Sequence, residues 1–194
     1  MRRTYWTFCL LLALSLLAPV RAMPTRAAEP GPTANAPVPQ PRWRAFAPPG
    51  GRFSVLLPAT PLSRSPAAPV HTYSCSVNDA RYFVQYDDRP ADDVKLLGAE
   101  KMLQIAGDVF LKATQGTLIR RSRLTRKGLP GIEIVALRPR GRQETIRAFV
   151  IGNRVYHLAA VTPAGDAAAG ADANKFLDSF TPDSLPSPVS PAQR

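Results

Sequence analysis

The sequence predicts an α+β domain built on a central antiparallel β-sheet flanked by helices on both faces. Three observations carry that expectation. Short runs of alternating apolar and polar residues are joined by turn-forming clusters into a meander. Two stretches carry apolar residues at steps of three and four, the spacing of amphipathic helices. The last meander runs are apolar on both sides, Ala148 and Val150 facing one way and Phe149 and Ile151 the other, where a half-solvated sheet would alternate cleanly.

The ends of the 194-residue chain read differently from its middle. Arg2 and Arg3 precede an apolar stretch from Cys9 to Val20, and Val20-Arg21-Ala22 places small residues where a signal peptidase requires them. Residues 1–22 therefore read as a secretory signal peptide. The stretch is too short for a membrane span, which needs roughly 20 apolar residues. A lipid-acceptor cysteine would follow the stretch, whereas Cys9 begins it. Residues 23–41 are rich in Pro and Ala and read as a disordered linker, and the Ser-Pro-rich residues 182–194 as a tail. The folded domain is expected over 42–181, long enough for one substantial core. Export implies a secreted or periplasmic protein, not an integral membrane protein, with Cys75 as its one cysteine.

Along the domain, Phe53, Val55 and Leu57 alternate after Pro48-Pro49-Gly50-Gly51 and give a first strand that Pro58 closes. A Pro- and Ser-rich loop runs to Pro69. Val70–Val77 and Ala80–Tyr86 flank Asn78-Asp79, a two-residue hairpin turn. That pairing sets Val77, Cys75 and Tyr73 opposite Ala80, Tyr82 and Val84 on an apolar face. Cys75 is accordingly expected to be buried and inert.

Pro90-Ala91-Asp92-Asp93 opens a helix that runs to about Lys112, with Ala99, Met102, Leu103, Ala106, Val109 and Phe110 as its stripe. Gly98 and Gly107 weaken it by about 1 kcal/mol each relative to Ala. Four meander strands follow, over about Thr117–Arg126, Ile132–Leu137, Gln143–Ile151 and Arg154–Val161. Their turns are Lys127–Gly131, Arg138–Gly141 and Gly152-Asn153. Asp166 caps a last helix carrying Ala169, Ala173, Phe176, Leu177 and Phe180 on one side.

Several of these segments together resemble a known family. Gly51-Arg52-Phe53-Ser54-Val55-Leu56-Leu57-Pro58, the long helix, Gly128-Leu129-Pro130-Gly131-Ile132-Glu133, the Arg147–Tyr156 hairpin and the closing Phe176-Leu177-Asp178-Ser179-Phe180 are similar to PsbP-like proteins. That fold is shared with the Mog-type Ran-binding proteins, and the resemblance spans nearly all of Arg42–Thr181. It implies an αβα sandwich used for binding rather than catalysis.

The composition excludes several classes. At 45% hydrophobic and 20% charged residues the chain is not wholly disordered, and two cysteines do not make a disulfide scaffold. Asp87, Asp88, Asp92 and Asp93 form the best candidate metal cluster, but they miss the EF-hand spacing, and Asp92 as helix cap with Asp93 in the first turn accounts for half of it. No metal or cofactor is expected. No nucleophile elbow, His-Glu-x-x-His or phosphate-binding glycine loop occurs. One grouping has catalytic potential. If Leu137 pairs with Arg142, and Ile151 with Arg154, then Glu133, Glu144 and His157 share a face and could support acid–base chemistry in a small extracytoplasmic hydrolase.

Charge is the stronger signal. The formal net charge is +11, or +8 once Arg2, Arg3 and Arg21 are removed. Between residues 120 and 147 lie Arg120, Arg121, Arg123, Arg126, Lys127, Arg138, Arg140, Arg142 and Arg147 against only Glu133 and Glu144, a local excess of seven. Such a meander suits docking of an acidic protein or an anionic envelope surface, lipid or wall polymer. It suits equally a solvated face that guards a sheet edge, as in a purely structural envelope protein. Nucleic acid is not an expected partner, because aromatic residues for base stacking are sparse among these cations. The expected role is a non-enzymatic binding or accessory domain.

Overall fold

The computed structural model describes residues 41–67 and 70–183. The expected signal peptide, nearly all of the linker and residues 184–194 of the tail lie outside the described residues. Among the described residues ten strands and two helices follow in order: β1 (Arg44–Phe46), β2 (Phe53–Leu57), β3 (Leu62–Ala67), β4 (Val70–Val77), β5 (Ala80–Asp88), α1 (Ala91–Thr114), β6 (Thr117–Arg126), β7 (Leu129–Arg138), β8 (Arg142–Ile151), β9 (Arg154–Pro163), α2 (Ala167–Asp178) and β10 (Thr181–Pro182). Seven strands form one antiparallel sheet in the order β3-β4-β5-β9-β8-β7-β6, and β1-β2-β10 form a small second sheet. The class is α+β and the sheets dominate it. Among the described residues no helix is long and apolar enough to cross a membrane.

Side chains alternating along β9 fall into two cores. Tyr156, Leu158 and Ala160 join Tyr82, Val84 and Tyr86 of β5, the β2 residues Phe53, Val55 and Leu57, and Ala173, Phe176 and Leu177 of α2, with Phe180 just beyond it. Val155 and Ala159 join Ile132 and Ile134 of β7, Ile146, Ala148 and Val150 of β8, and Met102, Leu103 and Phe110 of α1. α1 packs on β7 and β8, and α2 on β9 and β2.

Turn chemistry fixes most of the register. Asn78 and Asp79 take φ of 47° and 60°, the doubly left-handed form that a tight hairpin requires, and Cys75 lies opposite Tyr82 as expected. Lys127 and Gly128 likewise take φ of 50° and 78°, so β7 begins at Leu129 instead of after a five-residue turn. The next hairpin departs from expectation. Arg138, not Leu137, pairs with Arg142, which leaves the three-residue loop Pro139-Arg140-Gly141. A slip of one residue exchanges the faces of a whole strand, and its consequence falls on the candidate site.

Other departures are local. Gly98 has φ 71° and ψ 158°, a glycine conformation that kinks α1 rather than merely weakening it. Gly107 is a close-approach position: an added Cβ would stand 2.5 Å from Ile134 Cδ1. The N-cap of α1 is Pro90, without a side-chain bond, so Asp92 is a first-turn residue and not the cap. Asp166 does cap α2, its side chain accepting from Ala169 N at 2.9 Å. Pro182, where composition would start the tail, is buried in β10 opposite Phe53. β3 occupies part of the expected Pro- and Ser-rich loop and pairs with β4.

Candidate basic docking site

The cationic residues of the meander do not share one face. β6 is paired to β7 from Arg120 opposite Val135 to Arg126 opposite Leu129, so Arg120, Ser122, Leu124 and Arg126 lie on the α2 side of the sheet. Arg121, opposite Ile134, and Arg123, opposite Ile132, lie on the α1 side. On the α2 side the groups form an alternating chain. Arg120 donates to Glu133 at 2.6 Å, and Arg147 donates to Glu133 at 2.8 Å and to Asp178 at 2.6 Å. Arg126 also donates to Asp178, at 2.9 Å. These residues, with Ser122, Leu124 and Thr125, line an open depression of about 320 Å³. Three guanidinium groups there face two carboxylates, and the buried Nε of Arg126 has no hydrogen-bond partner among the described residues.

Electrostatics follow that geometry. Burial raises the Glu133 carboxyl, but hydrogen bonds from Arg147 and Arg120 outweigh it and hold the group below its usual range. Burial lowers Arg147, yet Asp178 and Glu133 raise it further, so it stays cationic. On the α1 side Arg121 pairs with Asp108 at 2.6 Å, and Arg123 pairs with Glu100. Lys127 donates to the Thr181 hydroxyl at 2.7 Å. Three units of the charge excess of seven counted along the sequence are therefore met by Glu100, Asp108 and Asp178. Sequence position hid them, because they come from the two helices.

At the β7–β8 loop, Arg140 is exposed and Arg142 donates to the Asp79 carbonyl. Arg138 is not an exposed tip residue; its Nε stands 3.5 Å from Glu144 Oε2. Glu144 is buried beside Thr114, and burial pushes its carboxyl up to about 7 against the pull of Arg138.

The expected carboxylate pair with His157 is dispersed. Glu133 lies opposite Arg147 and Glu144 opposite Ala136, on different faces of the sheet, because of the one-residue slip. Glu144 and His157 do share a face. However, Glu144 is opposite Val161, four residues along β9 from His157, or roughly 13 Å. His157 is half-buried between Gln85 and Ala148, and burial with the Arg89 charge pushes it down to about 4. The three groups do not form one acid–base site.

The aspartate cluster is dispersed as well. Asp87 pairs with Arg89 at 2.5 Å, while Asp88 takes both ends of the Arg154 guanidinium at 2.7 Å each. Asp92 and Asp93 sit in the first turn of α1. Among the described residues no three His, Cys, Asp or Glu side chains come together as a metal site. Sequence reasoning missed Arg154, whose Nη1 also donates to the Gly50 and Gly51 carbonyls at 2.5 and 3.0 Å and whose guanidinium covers the Tyr86 ring.

The chain matches no protein-family profile and no curated protein sequence. Among solved structures it is similar to cyanobacterial PsbP (CyanoP) from Synechocystis, with 14% identity and a TM-score of 0.55, covering 78% of this chain and 99% of that one. A protein of Bacteroides thetaiotaomicron aligns at 13% identity and a TM-score of 0.39, over 71% of this chain and 47% of that one. A protein of unknown function from Pseudomonas aeruginosa aligns at 12% and 0.37, over 68% and 90%. The first of these likenesses shows a PsbP-like fold.

Proposed function

We propose that this chain is an exported, non-enzymatic binding or accessory domain, an αβα sandwich of PsbP type whose β6–β8 edge docks an acidic segment of a partner protein. One observation carries the reading. β6 presents Arg120, Arg121, Arg123 and Arg126 along a ten-residue strand at the rim of the sheet, and the carboxylates that meet its cations are mostly loosely held. Asp108, Glu100 and Asp178 keep 68%, 63% and 51% of their side-chain surface in solvent. Exposed pairs of that kind contribute about 0–1 kcal/mol, so a partner's carboxylates can replace them at little cost. The dispersal of Glu133, Glu144 and His157 supports binding over hydrolysis.

The test is retention on immobilised polyglutamate across a salt gradient. Arg120→Glu with Arg123→Glu is expected to elute at clearly lower salt than wild type while still folding cooperatively, with a thermal midpoint lowered by the loss of the Glu133 and Glu100 pairs. The same charge change at Arg44 and Arg81, both exposed and outside the meander, is expected to cost much less retention. Equal losses from the two double variants would make net charge the cause and overturn the docking site. Tighter binding to anionic vesicles than to polyglutamate would overturn the choice of a protein partner.

A further inference from the structure

We infer that the acidic segment docks as an added strand, pairing backbone to backbone with the free edge of β6. The inference rests on the docking reading above and specifies its geometry.

The two rims of the seven-stranded sheet are unlike. β3 is six residues long, contains Pro66 and has a register shift between Arg64 and Ala67. A proline and an irregularity are ordinary ways to blunt an edge. β6 has ten residues and no proline, and its one register shift lies at its start, between Leu118 and Arg120. From Arg120 to Arg126 its pairing with β7 is unbroken, and among the described residues no strand pairs with its other side. Seven residues of regular edge extend about 24 Å at about 3.4 Å per residue. Backbone groups along such an edge form a template for another strand.

Side-chain charge selects the occupant. On β6, Arg120 and Arg126 flank the edge above the sheet, Arg121 and Arg123 below it, and no carboxylate interrupts them. Cross-strand neighbours stand about 4.5–5.5 Å apart, so a second β6 paired antiparallel along the whole Arg120–Arg126 edge would set Arg120 against Arg126 on one face and Arg123 against its own copy on the other. The row that blocks pairing between copies favours a strand with Asp or Glu on both of its faces. Residues 184–194 contain no Asp or Glu, and residues 23–40 contain only Glu29, so neither stretch matches that pattern. The occupant that the charge of this edge fits is an extended acidic segment of a partner protein. Arg123, with 82% of its side chain in solvent, can turn to such a strand with little to displace.

The experiment titrates the full chain with a blocked decapeptide of glutamate, threonine and valine that places glutamates on both faces. Two further versions are N-methylated on alternate backbone amides, one on each set. An added strand bonds through one set only. One methylated isomer should therefore bind about 10–100-fold more weakly and the other within about twofold of the parent, since each lost backbone bond is modest and two or three are lost together. Hydrogen exchange of β6 amides between Arg120 and Arg126 should slow with the parent peptide. If both isomers bind like the parent and those amides exchange unchanged, strand addition is overturned, while salt-sensitive binding lost in the Arg120→Glu, Arg123→Glu variant would leave the docking reading standing. A parent peptide that does not bind overturns the inference too, and polyglutamate retention then decides the docking reading separately.

Discussion

Arg138 holds its Nε 3.5 Å from Oε2 of Glu144, and that buried oxygen accepts no hydrogen bond among the described residues. The pair is poorly matched: burial raises the carboxyl to about 7, and Arg138 recovers only part of the cost. In the unfolded chain the same carboxyl titrates near its ordinary 4.5. The folded state therefore binds the extra proton between those values. The stability this proton confers is complete below pH 4.5 and is lost as pH rises through 7, a span of about 3 kcal/mol. Glu144→Gln is expected to remove this loss and to exceed wild type in urea denaturation at pH 8. An unchanged difference between the two proteins at pH 4.5 and pH 8 would show that Glu144 is not the titrating group.

His157 works in the opposite sense. Burial, with Arg89, lowers it to about 4 from an ordinary 6.5, so its neutral form belongs to the folded state. Its contribution is complete above pH 6.5 and is lost as pH falls through 4. Between about pH 4.5 and 6.5 the two trends oppose each other in the wild type. His157→Asn should therefore reveal stability that falls with rising pH, and Glu144→Gln stability that rises. Denaturant midpoints of the two variants measured across that window should slope in opposite directions; slopes of one sign would refute the pairing of effects.

How far the sequence discloses this protein depends on what each signal measures. Asn78-Asp79 discloses its hairpin because two residues must both take positive φ and the flanking alternation allows one register. Arg138–Arg142 does not, since its residues fit a four-residue loop closed by Leu137 as well as the three-residue loop observed. That single step decides whether Glu133 faces with Glu144 or against it. β1 and β10, of three and two residues, are too short for any period to show. The count of cations in the meander finds the candidate site. It cannot find Glu100, Asp108 and Asp178, which arrive through tertiary contact of α1 and α2, nor the division of the arginines between two faces.

Cys75 lies in the core between the sheets, opposite Tyr82, and burial raises its thiol above the ordinary value. A raised thiol at a closed position is a poor nucleophile, because the thiolate is the reactive form. Maleimide labelling of the native chain is expected to be slow and to become fast in denaturant. Rapid native labelling would place Cys75 on an accessible surface.

Arg154 joins three parts of the molecule that are distant in sequence. Its Nε and Nη2 grip Asp88 of β5, its Nη1 donates to Gly50 and Gly51 before β2, and its guanidinium lies 4.6 Å from the centre of the Tyr86 ring. The hydrogen bond from Arg154 holds Asp88 below its usual range, while Asp88 raises Arg154. Next to the gripped carbonyls, Arg52 takes φ of 57°, and the Tyr156 hydroxyl also donates to the Gly51 carbonyl, at 3.1 Å. Arg154→Lys keeps the charge but cannot span both carboxylate oxygens and two carbonyls, because a lysine ends in one point charge. The loss is expected to be about 1–3 kcal/mol, the range for charge-assisted bonds removed without leaving a bare buried charge. The loss should appear first in the turn itself. Trypsin should cut after Arg52 in Arg154→Lys under conditions where wild type resists, since Phe53 next to it is 1% exposed and must leave the core to be cut. Equal resistance of the two proteins at that bond, with equal thermal midpoints, would show that Tyr156 and the β2 core hold the turn without the guanidinium.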